Sequence, residues 1–165
     1  MIVVSDTSPI VALAHVELIN LLELFFGTIV VPPAVTAELA SGAHWAPIDV
    51  SRYPYVQVRR PSDMRRVADL RERVDVGEAE AIALAIEINA ELVLIDDAAG
   101  RIVANELGLS IIGTIGVLLR AKECGRISAV GIIIDRLRQE LGFFVSDRLR
   151  ADALRSAGEL PESIS

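Results

Sequence analysis

Short apolar segments alternate with longer helical segments along this chain. Segments 2–5, 28–31 and 92–95 are rich in Val, Ile and Leu, which is typical of buried strands, and 110–112 is a shorter segment of the same kind. The intervening segments place apolar residues at helical spacing. Strands separated by helices require a parallel sheet covered on both faces. The sequence therefore predicts a three-layer α/β/α fold around a central, mainly parallel sheet of four to five strands.

The predicted helices follow from apolar periodicity and from the usual start and stop residues. Ser8 and Pro9 predict an N-cap and a first-turn proline. The helical segments are 10–26, broken near His15, then 34–40, 64–74, 78–89, 98–107, 115–123, 128–141 and 147–156. The segment 41–61 contains Gly42 and three prolines, which predicts a loop with a brief extended piece at 55–58.

Length and hydropathy indicate one domain. A chain of 165 residues is long enough to bury a continuous core. We expect residues 1–142 to form the principal domain, and 143–165 to form a C-terminal helix and tail that pack on it or extend it.

No apolar run is long enough to span a membrane, and the N-terminus lacks the basic lead of a secretion signal. We therefore expect a soluble, cytoplasmic protein.

The composition restricts the kinds of metal site. One cysteine and two histidines make a zinc site of the Cys/His type very unlikely, so any metal must be held by oxygen. A net charge of −7 argues against a polyanionic partner in general. However, six of the sixteen basic residues lie between Arg59 and Arg73. The favoured interpretation of that segment is a solvent-exposed helix face with interleaved acids. The alternative is a rim of the ligand site that contacts phosphate.

Acidic residues follow two of the predicted strands. Ligands of parallel sheets bind beyond the carboxyl ends of the strands, where Asp6 and the pair Asp96 and Asp97 are placed. Asp97 has an alternative role as the N-cap of the next helix. Glu38 lies near a helix C-terminus, where the helix dipole disfavours an anion.

Two further acids lie on the helix 78–89. Glu78 has a local explanation, because Asp75 and Glu78 have the spacing of a capping box. Glu80 has no such explanation. It lies two residues further along, on a different face of the helix.

Four sequence motifs resemble those of the PIN-domain family. They are VSDTSP at 4–9, VPPAVTAE at 31–38, GEAEAIALA at 77–85 and LIDD at 94–97. The resemblance continues through GTIGVLL at 113–119 and covers roughly residues 1–140. It is greatest to the prokaryotic VapC-like branch, whose members are toxin ribonucleases that use magnesium or manganese and are neutralised by an antitoxin.

The resemblance implies a metal-binding acidic quartet of Asp6, Glu38, Glu80 and Asp97. Glu78 is the alternative third ligand and Asp96 the alternative fourth. Substrate-binding or supporting roles are implied for Thr7, Ser8, Arg101 and Thr114. The cofactor implied is Mg²⁺ or Mn²⁺, the reaction is endonucleolytic hydrolysis of RNA, and the partners are RNA, an antitoxin protein and a second copy in a homodimer.

Two alternatives remain at this stage. A non-catalytic PIN-like module that binds RNA or protein has the same acids. A magnesium-dependent phosphatase of the haloacid-dehalogenase type requires a second acid two residues after the first, where this chain has Ser8. Both histidines and Cys124 are interpreted as packing residues. Trp45, Tyr53 and Tyr55 have the chemistry to stack on RNA bases, but aromatic residues are too few in this chain to predict that role.

Overall fold

The computed structural model describes residues 1–42 and 44–160. Its strands are β1 (Val3–Ser5), β2 (Ile29–Val31), β3 (Val56–Val58), β4 (Leu92–Leu94) and β5 (Ile111–Ile112). Its α-helices are α1 (Thr7–His15), α2 (Asn20–Phe26), α3 (Pro33–Ser41), α4 (Met64–Leu70), α5 (Val76–Glu87), α6 (Ala98–Glu106), α7 (Thr114–Glu123), α8 (Gly131–Leu141) and α9 (Asp147–Ser156). A short 3-10 helix covers Val50–Arg52.

All five strands pair in parallel, in the order β3-β2-β1-β4-β5. From the central strand β1 the chain proceeds outward to β2 and β3 on one side, and later to β4 and β5 on the other. The strand order therefore reverses between β1 and β4, and the crevice beyond their carboxyl ends is the usual ligand-binding place in an open parallel sheet. Asp6 follows β1 and Asp96 lies two residues beyond β4, so both acids flank this crevice.

Alternating side chains on the strands pack against helices on both faces of the sheet. Val3 and Leu94 belong to a core shared with α1, α2, α3, α7 and α8. Val4 and Val93 belong to the opposite core, shared with α4, α5 and α6. The two cores confirm the predicted three-layer α/β/α architecture, and the number of strands lies within the predicted range.

Several helix boundaries differ from the sequence prediction. The break near His15 is confirmed, and the chain turns there through Glu17 at a positive φ of 60°. Ser8 is not an N-cap, because α1 already begins at Thr7 with Asp6 in the N-cap position. The extended piece predicted at 55–58 is the edge strand β3. The helices predicted at 64–74 and 128–141 are shorter, since α4 ends at Leu70 and α8 begins at Gly131.

The C-terminal segment packs on the same domain over its described part. Helix α9 contacts α7 and α8, and buries Ala153 and Leu154. Glu159 accepts hydrogen bonds from the backbone N–H groups of Val130 at 2.7 Å and Gly131 at 3.0 Å. Residues 161–165 of the predicted tail lie outside the described residues. In the described part of the chain, no helix has the length and apolar character needed to cross a membrane.

Candidate metal and nucleic-acid site

The acids predicted from the sequence lie around the crevice between β1 and β4, on several different elements. Asp6 is at the start of α1, and Glu38 is in the last turns of α3. Glu78 and Glu80 are in the first turns of α5, and Asp96 and Asp97 form the connection from β4 to α6. The contacts that hold each carboxylate decide which of them remain available to a ligand.

Glu38 is held across the crevice by Thr7. The Thr7 hydroxyl donates to Glu38 Oε2 at 2.7 Å, and the backbone of Gly77 lies against the same carboxylate. A Cβ atom at position 77 would overlap Glu38 Oε1, so the close approach of α3 to α5 requires glycine there. Burial raises the pKa of Glu38, and the negative charges of Asp75 and Glu80 raise it further.

Asp6 is the most deeply buried of the four proposed ligands, with 4% of its surface exposed. Burial raises its pKa well above the ordinary value, and the nearby charges of Glu78, Asp75 and Glu38 act in the same direction. The nearby backbone N–H of Thr7 partly opposes this rise, although the Asp6 side chain makes no capping hydrogen bond to α1. Asp6 therefore lies in the negative electrostatic potential of several other carboxylates, which favours the binding of a cation.

Glu78 joins two helix N-termini. The predicted capping box is confirmed, because Glu78 N–H donates to Asp75 Oδ1 at 2.8 Å and Asp75 N–H donates to Glu78 Oε2 at 3.2 Å. Asp97, the N-cap of α6, lies close enough for its charge to act on the Glu78 carboxyl. Burial, together with the charges of Asp75 and Asp97, raises the pKa of Glu78 to about 7.

Asp97 is the N-cap of α6, which was one of its two predicted roles. Its Oδ2 atom accepts from the backbone N–H groups of Ala99 at 3.0 Å and Gly100 at 3.2 Å. The residue is otherwise exposed at the surface of the crevice. Capping by one oxygen atom leaves the rest of the carboxylate able to bind another group.

Both carboxylate oxygens of Asp96 accept hydrogen bonds, whereas only one oxygen of Asp97 does. Its Oδ1 accepts from the backbone N–H of Thr114 at 2.7 Å, and its Oδ2 accepts from the Thr114 hydroxyl at 2.7 Å. Burial raises the pKa of Asp96, while the Thr114 hydrogen bonds and the nearby Arg101 lower it. Because both oxygens hold the start of α7, these contacts favour a structural role for Asp96 and leave Asp97 as the better candidate ligand.

Glu80 is 7% exposed and faces the Glu38 side of the crevice. Among the hydrogen bonds of residues 1–42 and 44–160, none involves its carboxylate. Glu78, in contrast, is bonded to Asp75 and lies near the charge of Asp97. The two glutamates thus have the different surroundings expected from their spacing on one helix.

The crevice does not present an assembled metal centre. Within the described residues there is no group of three or more His, Cys, Asp or Glu side chains arranged to hold a metal ion. The chemistry of the donor set does fit Mg²⁺ or Mn²⁺, since buried carboxylates with raised pKa values are hard oxygen ligands that a cation would stabilise. The side chains around Asp6 and Glu38 must therefore rearrange before they can coordinate a metal ion.

Basic side chains lie at the same edge of the sheet. Arg59 and Arg60 follow β3, and both are exposed. Two other members of the arginine cluster are paired with acids, Arg66 with Asp63 and Arg73 with Glu106. These ion pairs agree with the predicted solvated face. Arg59 and Arg60 present exposed guanidinium groups at the carboxyl end of the edge strand β3.

An apolar groove adjoins the acidic crevice, and it was not predicted from the sequence. Its volume is about 1030 Å³, and Thr7, Ser8, Asp96, Asp97 and Arg101 line the end next to the acids. Residues distant in sequence form the remainder, from the loop after α3, from β5 and α7, and from the connection between α8 and α9. The adjacent Phe143 and Phe144 were the one available sequence cue.

The fold and the acids define the class of protein: a parallel α/β domain with an acidic crevice at its topological switch point. A model of the DUF3368 family, described as a PIN domain, matches residues 2–159. The chain belongs to this PIN-domain family, whose members are generally nucleases. No curated protein and no solved structure matches the chain.

Proposed function

We propose that the protein is a ribonuclease that hydrolyses RNA phosphodiester bonds with Mg²⁺ or Mn²⁺. The observation that carries this proposal is the group of buried carboxylates in the crevice between β1 and β4 of a PIN domain. Burial and mutual repulsion raise the pKa values of Asp6, Glu38 and Glu78. Such a cluster is unfavourable without a compensating cation, which supports a metal-dependent role.

Asp6, Glu38, Glu80 and Asp97 are the proposed ligands. Glu38 is oriented by Thr7, and Glu80 is free of other hydrogen bonds in the described part of the chain. Glu78 and Asp96 are proposed as supporting residues, because their carboxyl groups are engaged by backbone and side-chain donors. A divalent cation bound there supplies an acidified water molecule and offsets the charge that develops on the phosphate.

The protein's own groups hold the RNA strand near the acids. Arg101 donates from Nη1 to the carbonyl oxygen of Ile95 at 2.9 Å, which fixes the guanidinium at the mouth of the crevice. Its other N–H groups suit a phosphate oxygen. Arg59 and Arg60, at the far edge of the sheet, are placed to contact flanking phosphates. Contacts of this kind make binding decrease as salt concentration rises.

The proposal is tested by titrating Mn²⁺ into chelator-treated protein and an Asp6→Asn variant, with thermal stability and cleavage of a mixed RNA measured together. We expect manganese to stabilise the wild type by mass action and to start cleavage, and we expect both effects to disappear in the variant. Asp49→Asn is a matched control, since Asp49 is exposed, caps the 3-10 helix and is not among the charges that raise the pKa values of the acids. Equal cleavage by wild type and Asp6→Asn would contradict the proposal.

A second candidate function is binding of RNA or protein without catalysis. The observation in its favour is that the described acids do not form an assembled metal group. In that case RNA would bind to wild type and Asp6→Asn alike, and manganese would not start cleavage. The same titration therefore separates the two candidates.

We further propose that the protein acts as the toxin of a toxin–antitoxin pair and forms a homodimer. The support is the likeness of its acidic motifs to VapC-like proteins. The apolar residues of α7 and α8 lie in the core or pack against it, with Val117, Ile134 and Leu137 fully buried, except that Ile132 is 66% exposed. Co-purification with the product of an adjacent reading frame, and light scattering of the purified chain, test the two statements separately.

A further inference from the structure

Helix α9 is attached to the domain by few apolar contacts. Half of its ten residues are charged, and it buries Ala153 and Leu154. In contrast, α1 is one residue shorter and buries the four consecutive apolar residues 10–13. Because apolar burial supplies most of the stability of a packed helix, α9 gains less from packing than α1 does. Polar contacts must therefore contribute to holding α9 in place.

Two ion pairs join α9 to α8. At the start of α9, Arg138 Nη2 donates to Asp147 Oδ1 at 2.9 Å. In the middle of the helix, Arg150 donates twice to Asp135, from Nε at 2.7 Å and from Nη2 at 2.9 Å. The four side chains are 31% to 95% exposed, so dissolved salt can screen both pairs.

A third polar contact holds the chain just beyond α9. The Glu159 carboxylate accepts from the backbone N–H groups of Val130 and Gly131 at the start of α8. It also accepts from Lys122 Nζ at 3.2 Å. The positive end of α8 and the lysine charge both stabilise the carboxylate. The segment from α9 to Glu159 is thus fastened at its start, middle and end by contacts between charged or polar groups.

The connection from α8 to α9 allows the helix to move as a unit. Residues 142–146 form neither helix nor strand. Gly142 ends α8 at a φ of 67°, and in the described part of the chain only its sequence neighbours lie within 4 Å of a Cβ placed there. Rotation of the chain about Gly142 would lift α9 from the domain and expose Val145, Ala153 and Leu154. Three apolar side chains are a small part of the core that remains.

We propose that α9 is a strap that opens about Gly142 when its ionic contacts are screened or broken. Segments with few buried apolar contacts often open separately from the core. Leu149 of α9, and Phe143 and Phe144 of its connection, line the groove beside the crevice. Opening of the strap removes this wall, so access to the crevice depends on ionic strength. This conformational change goes beyond the proposed ribonuclease function, and its test needs neither metal nor RNA.

The test is hydrogen exchange of the full chain, followed by mass spectrometry, between about 0.05 M and 1 M NaCl, over which the Debye length falls to about 3 Å. Peptides that cover α9 are compared with peptides that cover α5, whose residues 77–85 are buried. The variants are Arg150→Gln, Glu159→Gln and the double variant. Arg136→Gln is the matched control, because Arg136 forms a partly exposed ion pair with Glu140 inside α8.

We expect the α9 amides to exchange faster than those of α5, and to accelerate at high salt relative to α5. At low salt Arg150→Gln should accelerate α9 exchange roughly 2- to 5-fold, the range for loss of a partly exposed ion pair. Glu159→Gln should accelerate it on the order of tenfold, because a hydrogen-bonded charge is lost. The double variant should respond much less to salt, which loss of packing alone would not produce. Arg136→Gln should leave α9 exchange unchanged.

Trp45 gives a separate measurement of the groove. It is the one tryptophan of the chain, and it lines the groove together with Leu149 and Phe144. Its ring is partly buried while α9 is in place. Fluorescence emission should therefore shift to longer wavelength in the double variant, as water reaches the ring.

Three outcomes would overturn the proposal. If α9 and α5 exchange at the same rate and respond equally to salt, the domain opens as one cooperative unit and α9 is not a strap. If Arg150→Gln and Glu159→Gln behave like Arg136→Gln, the ionic contacts do not hold α9. If α9 exchange accelerates while Trp45 emission stays constant, the helix opens without changing the groove, and access to the crevice does not depend on it.

Discussion

Replacing Glu78 with Gln should remove much of the pH dependence of stability of the metal-free protein. The pKa of Glu78 rises from 4.5 to about 7 on folding, mainly because of burial and then because of Asp75 and Asp97. Between these two values the folded protein binds a proton that the unfolded chain does not. The free energy of unfolding should therefore fall as pH rises from 4.5 to about 7, and this contribution should level off above that value.

The magnitude follows from the same two pKa values. Their difference of about 2.5, at 1.36 kcal/mol for each pH unit, sets a ceiling of about 3.4 kcal/mol. Solvent screening reduces this figure, so we expect about 1–2 kcal/mol. Gln is uncharged and of similar shape, so the variant should be more stable than wild type at pH 8 by about that amount and nearly equal to it at pH 5.

Urea unfolding with chelator present at pH 5 and pH 8 measures the effect. Glu106→Gln is the control, because Glu106 is exposed and paired with Arg73, which lowers its pKa below this window. Some pH dependence should persist in Glu78→Gln, since Asp6 and Glu38 also have raised pKa values. If Glu78→Gln lost as much stability as the wild type between pH 5 and pH 8, the raised pKa of Glu78 would not be the cause of the pH dependence.

Three further changes test other contacts of the crevice. Asp6→Asn should raise the melting temperature of metal-free protein at neutral pH by several degrees, about 2–4 °C for each kcal/mol, because it removes a buried carboxyl group whose pKa is raised by burial and by neighbouring acids; a lower melting temperature by calorimetry would contradict this. Gly77→Ala should destabilise by about 1–2 kcal/mol in urea unfolding, although alanine normally stabilises a helix by about 1 kcal/mol, because its Cβ displaces Glu38 from Thr7; a stabilised variant would show that Glu38 is not held there. Thr114→Val should cost about 1.5–3 kcal/mol by removing a hydrogen bond to a buried carboxylate, whereas Thr114→Ser should cost much less; equal stability of both variants would rule out the role given to Asp96.

Local patterns in the sequence were sufficient for the layers of the fold and for the capping box. Asp75 and Glu78 bond as their spacing predicted, since a capping box depends only on one helix turn. Ser8 was predicted as an N-cap from an equally local pattern, yet α1 starts at Thr7. There the hydroxyl of Thr7 bonds Glu38, a residue 31 positions away, and such a long-range contact leaves no local pattern.

The choice between adjacent acids required the tertiary structure. Sequence spacing separated Glu78 from Glu80 but did not show which faces which partner. Asp96 and Asp97 are consecutive, and only the packing of α7 against the end of β4 shows that Asp96 is bound by Thr114. The groove was not predictable because its walls come from segments far apart in the chain. Metal binding by the four proposed ligands stays a prediction.

The topology explains how so many acids share one edge of the sheet. Helices that follow parallel strands begin at the carboxyl edge, so their unpaired N–H groups and positive dipole ends face the crevice. Helix N-terminal N–H groups bond two of the acids: Gly100 donates to Asp97 and Thr114 donates to Asp96. These carboxylates therefore stabilise helix ends as well as forming an acidic surface.

Glu80 is different, because no helix N-terminus in the described part of the chain bonds its carboxylate. A structural role would predict a loss of stability in Glu80→Gln, whereas a ligand role predicts an unfolding free energy within about 0.5 kcal/mol of wild type. In the proposed nuclease, manganese-dependent stabilisation and RNA cleavage should both be strongly reduced in this variant. Glu91→Gln, at the opposite edge of the sheet before β4, is the matched control. Full activity in a stable Glu80→Gln protein would remove Glu80 from the ligand set.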